Sequence, residues 1–68
     1  MKKFEIRLAE QHRRNALHLK NLTAFIENPE RFNKLAPEDQ QLIQTQQALM
    51  ARLDDVLEQR LRRLNIPV

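Results

Sequence analysis

The side chains best equipped for chemistry in this 68-residue chain are its arginines and two histidines. Arg7, Arg13, Arg14, His18 and Lys20 come early, and Arg52, Arg60, Arg62 and Arg63 come late. A guanidinium fork meets a phosphate or carboxylate through two parallel hydrogen bonds, so such a set could receive an anion. Glu5, Glu10 and Glu58 interleave with it, and the same residues also read as an ordinary solvated surface. His12 and His18 stand six apart, which is neither an i,i+4 pair nor the HExxH pattern of a helical zinc site. They read as solvated or core-edge imidazoles. Asp54, Asp55 and Glu58 read as a solvated helix face, with repulsion between Asp54 and Glu58 and attraction between Glu58 and Arg62.

Much chemistry is absent by composition. The chain has no Ser, no Cys and no Gly. A serine nucleophile, a disulfide, a thiolate metal site and a Gly-rich phosphate loop are therefore excluded. Thr23 and Thr45 are isolated on helical stretches. A binding protein is expected, with no catalytic residue, no metal and no cofactor. Asn15 and Gln46 fall in otherwise apolar stripes. There they either fix register as buried polar groups or hydrogen-bond a ligand held between protomers.

These residues must be positioned by helices. From Pro37 to Leu64 the apolar residues form two rows at helical spacing. One is Leu42, Leu49, Leu53 and Val56; the other is Ile43, Met50, Leu57, Leu61 and Leu64. Earlier, Leu8, Leu19, Leu22 and Ile26 make one stripe, joined by Phe4 and flanked by Phe25. Gln11, His12, Asn15 and His18 interrupt it. Asn28-Pro29 and Pro37 are start signals, with Phe32 and Leu35 between them facing inward. The expected fold is all-α: one domain over residues 1–68, an antiparallel two-helix hairpin. Helix 1 covers about 3–27, a short turn or helix 29–35, and helix 2 about 37–64. Asn65 to Val68 reads as a tail.

With the turn centred near Lys34, Ile26 faces Leu42, Leu19 faces Leu49, Asn15 faces Leu53 and Phe4 faces Leu64. Arg7 and Arg14 then approach the Arg60–Arg63 end. The second row is left uncovered. One small core is marginal at this length, and oligomerisation is the remaining route to stability. A homo-oligomeric bundle is expected, with the long helices packed on each other. The net charge of +3 permits an anionic partner without demanding one. No stretch resembles a signal peptide or a membrane span, so the expected location is the cytoplasm.

The pattern from Leu22 to Leu61 resembles a widespread family of short bacteriophage helical hairpins. Its matching residues here are Leu22, Phe25 and Ile26; Phe32 and Leu35; Leu42, Ile43, Gln46 and Met50; Val56 and Leu57; and Arg60 with Leu61. Members of this grouping look like the hairpin domain of phage anti-defence sponges of the anti-CBASS or anti-Thoeris type. The family often carries Tyr at Leu53, Leu at Asn15 and Lys at His18. The resemblance implies an oligomer in the host cytoplasm that binds a cyclic nucleotide immune signal and sequesters it without hydrolysis. On that reading Arg14, His18 and Arg60 hold phosphates, while Asn15 and Gln46 hydrogen-bond bases or riboses. The alternative is a small helical regulator that binds a protein or, less readily, a nucleic acid.

Overall fold

The computed structural model describes residues 2–68. Three helices follow one another: α1 (Lys3–Ile26), α2 (Pro29–Phe32) and α3 (Pro37–Arg63). At the start of α1, Glu5 Oε1 accepts a hydrogen bond from the Lys2 N–H at 3.2 Å. Lys2 has no side-chain acceptor to return it, so half of a capping box forms. Asn28 precedes Pro29, whose fixed φ suits the first helical position. Ala36 offers α3 no side-chain cap, and Pro37 with Glu38 and Asp39 supplies the start instead. Gln40 ties the connector down by donating to the carbonyls of Leu35 at 2.9 Å and Phe32 at 3.2 Å.

α1 and α3 lie against each other, and the molecule measures 45 × 15 × 15 Å. Among the described residues there is no strand. The core sits at the end that holds both termini: Leu8 and Ala9 of α1 meet Leu57, Leu61 and Ile66. Leu57 and Leu61 are each only 1% exposed. At the opposite end Phe32 is buried and meets Phe25 edge-to-face, with ring centroids 6.3 Å apart. Between these apolar ends the helices are joined by polar contacts. Asn15 Nδ2 donates to the Met50 carbonyl at 2.9 Å, and Gln47 Nε2 donates to Thr23 Oγ1 at 2.9 Å.

The last turn of α3 shows why Ile66 belongs to the core and not to a tail. Asn65 takes the left-handed conformation at φ 59°, which Asn tolerates better than most residues. Its N–H reaches the Arg62 carbonyl, and the Ile66 N–H reaches the Leu61 carbonyl, both at 3.0 Å. This is a Schellman closure, with its usual apolar contact between Ile66 and Leu61.

The face that α3 turns toward α1 differs from the expected one. Gln40, Ile43, Gln47, Met50, Asp54, Leu57 and Leu61 are all buried or half-buried. They recur at alternating three- and four-residue steps, the pattern of a helix–helix seam. Leu42, Leu49, Leu53 and Val56, expected to face α1, point outward; Leu42 is 67% exposed and Leu49 60%. Each belongs to an outer seam, 42/46/49/53/56/60, that precedes the inner one by one residue. One residue is a rotation of about 100° on a helix. The inner seam wins because both its ends are fixed: Gln40 holds the connector carbonyls, and Leu61 packs under Ile66. Phe4, placed on the stripe of helix 1, is likewise 52% exposed.

The Asn15 amide is buried, yet the carbonyl it meets lies inside α3, where the helix ladder already satisfies it. A hydrogen bond of this kind contributes little net stability. Asn15→Leu is expected to shift stability by less than about 1 kcal/mol in either direction, read from the urea midpoint of each protein. A loss above about 2 kcal/mol would mean that the amide contributes beyond this one bond.

Candidate functional site

Beside the polar middle of the hairpin two grooves open on the same side. The first is about 310 Å³ and is lined by Arg7, Glu10, Gln11, Arg14, Asn15, His18 and Leu53. Arg7, Glu10, Gln11, Arg14 and His18 are spaced by three, four and seven residues along α1. They therefore share one face of that helix. The second is about 500 Å³ and is lined by His18, Asn21, Leu22, Phe25, Ile43, Gln46 and Met50. It is mainly apolar, with Asn21, Gln46 and His18 as its polar groups. A volume of this size suits a small ligand. His18 lines both, so a basic groove runs into an apolar one.

Arg14, Asn15 and His18 thus come together, and Gln46 adjoins them through His18. Arg60 stands apart, in a groove of about 250 Å³ with Phe4, Arg63 and Leu64. The arginines therefore form two groups: Arg7 and Arg14 beside Leu53, and Arg60 with Arg63 near the chain termini. The expected convergence of Arg14 on Arg60 is not seen within one chain, because Arg14 lies nearly two turns beyond Arg7, toward the middle of the rod. Two guanidiniums and an imidazole in the first groove can take a phosphate or another anion, with Glu10 limiting the local charge. The aromatic ring and apolar side chains of the second can take a planar, less polar group.

The outer seam meets this region. Leu53 belongs to the seam and lines the basic groove; Gln46 belongs to the seam and lines the apolar one. Arg60 is a seam position as well. Arg7 is already among the residues that the sequence offers to an anion; Leu53 was expected against α1, and its place in the groove wall follows from the one-residue turn of α3.

A third constellation joins the helices nearer the core. His12 Nε2 lies 3.3 Å from Asp54 Oδ1 and 3.5 Å from Glu58 Oε1. Asp54 and Glu58 had read as solvated, but Asp54 is an inner-seam residue and Glu58 lies one turn on. The expected Glu58–Arg62 pair is present, with Arg62 Nη2 3.5 Å from Glu58 Oε2. The signal that could have found the cluster is the polar residue at every second position of the inner seam, which needs a polar partner on α1.

Among the described residues no helix is long and apolar enough to cross a membrane. No curated protein and no solved structure matches the chain. A family model described as Sequestin matches residues 2–63, a span that takes in both long helices, the connector and every residue of the two central grooves, and the chain belongs to that family.

Proposed function

We propose that this protein is a phage anti-defence sponge: a homo-oligomer that binds a cyclic nucleotide immune signal and sequesters it without hydrolysing it. The family name denotes sequestration, which is binding without turnover. The observation that carries the reading is the place of Leu53, at once in the exposed apolar seam and in the wall of the basic groove. A second copy packed on the seam would deepen that groove into a pocket and bring its own Arg60 and Gln46 to the interface. Arg14 and His18 hold phosphate oxygens, Gln46 hydrogen-bonds a base or ribose edge, and Asn15 closes the floor with its amide bound to Met50. Arg60 contributes from the neighbouring copy. The apolar groove with Phe25 accepts the base.

The test is native mass spectrometry of the purified protein with a panel of cyclic nucleotides, followed by chromatography of the released ligand. The expected result is a closed oligomer carrying an intact nucleotide. Arg14→Ala and Arg60→Ala should each lose one charge-assisted contact, about 1.5–3 kcal/mol, or roughly ten- to a hundredfold in Kd. If both variants held the nucleotide as tightly as the parent, the site would lie elsewhere. An empty closed oligomer that ignores the whole panel would point to a protein partner. Binding to nucleic acid that collapses with added salt would point to a phosphate-backbone reader.

A further inference from the structure

We propose that His12, Asp54 and Glu58 form a binding site for a divalent first-row metal ion that clamps α1 to α3. One ligand atom from each of the three side chains lies within 4.8 Å of the others. The contacts fall within ion-pair range but are long for charge-assisted hydrogen bonds. A charge-assisted N–H···O bond spans about 2.7–2.9 Å. The imidazole here stands 3.3 Å and 3.5 Å from its two carboxylates. Those separations match the edge of a tetrahedron built on metal–ligand bonds of about 2.0–2.2 Å, which is roughly 3.3–3.6 Å.

The burial of two of these atoms, which face each other, adds to this. His12 Nε2 and Asp54 Oδ1 are both fully buried, and neither has a hydrogen-bond partner among the described residues. Buried polar atoms are normally satisfied, and a bound ion is one of the few ordinary ways to satisfy such a pair. Two carboxylates one helical turn apart also repel each other. A divalent cation would offset that repulsion and satisfy both orphaned atoms at once. Arg62 engages only Oε2 of Glu58, which leaves Oε1 turned toward His12. The side chains of His12, Asp54 and Glu58 keep 15%, 23% and 30% of their exposure, so the cluster lies just beneath the surface.

The donor set selects the class of metal. One imidazole with two carboxylates suits a borderline cation such as Zn²⁺, whereas Mg²⁺ and Ca²⁺ favour all-oxygen shells. The site spans the two long helices between the Leu8–Leu57–Leu61 core and the Asn15–Met50 hydrogen bond. A metal there would fix the relative position of the helices, whether or not the grooves hold a nucleotide.

The experiment is isothermal titration of metal-free protein with Zn²⁺, paired with thermal melts followed by circular dichroism. The parent should bind one Zn²⁺ per chain. Its melting midpoint should rise by roughly 10 °C or more at a hundredfold excess over Kd. His12→Gln and Glu58→Gln, each checked for parental helicity, should bind at least about tenfold more weakly and lose the thermal shift. His18→Gln, which removes the other imidazole, should keep both. The proposal is overturned by absence of saturable binding to the parent. It is also overturned if both His12→Gln and Glu58→Gln bind like the parent, or if His18→Gln loses binding as His12→Gln does.

Discussion

Leu57→Ala is expected to unfold the isolated hairpin. Leu57 is 1% exposed and sits among Leu8, Leu61 and Ile66, the whole of the buried cluster at that end. Truncating such a residue removes its transfer free energy and leaves a cavity, for a loss of about 2–5 kcal/mol. A core in a chain this short rarely supplies more than about 3–5 kcal/mol. The loss therefore matches the whole margin, and the helical signal at 222 nm should collapse at a temperature where the parent is folded. Leu49→Ala is the comparison. At 60% exposure it has little to lose within one chain and should cost under about 1 kcal/mol when measured at dilution. Urea titrations of the two variants below the micromolar range would settle the orientation of α3. If Leu49→Ala proved the more damaging of the two, the long helix would be turned the other way.

If the copies pack on the outer seam as proposed, a charge there is expected to dissociate them while leaving the hairpin intact. Leu42, Leu49, Leu53 and Val56 form an exposed apolar strip, broken by Gln46 between the first two, on a rod only 15 Å across. Burying one such side chain against another copy gains about 1.5–3 kcal/mol. Leu49→Glu combined with Leu53→Glu forfeits two of these gains and would bury two carboxylates besides. Self-association should weaken at least about a hundredfold, seen as a fall to the monomer in sedimentation velocity with unchanged helicity. Because Leu53 also walls the basic groove, nucleotide affinity should fall with it. A double variant that sediments like the parent would mean that the copies meet elsewhere, and the pocket assigned to their junction would go with that interface.

The helical class and the hairpin were legible because the signals are local. Pro29 and Pro37 are the first residues of their helices, and the apolar spacing of three and four leaves no room for strands. The family likeness read from Leu22 to Leu61 was legible for the same reason, since those residues shape the hairpin. The facing of α3 was not. Its two seams differ by one residue, and each carries four apolar residues over the matched positions 42–60 and 43–61. Counting hydrophobic residues therefore does not choose between them. What decides the matter is pairing across helices: Gln47 with Thr23, Asp54 with His12, and Leu57 and Leu61 with Leu8. None of these is visible until the register is known. Arg60 was grouped with Arg14 from the antiparallel register and the family likeness, while within one chain the two line separate grooves.

The turn at Asn65 has a consequence for how the protein comes into being. Through it Ile66 folds back onto Leu61 and meets Leu8, a residue from nearly the other end of the chain. The core thus joins residues far apart in sequence, and its contacts close a long loop, which slows their formation relative to the helices themselves. The two long helices can form from local signals, but this core closes only when Leu8 and Ile66 are brought together.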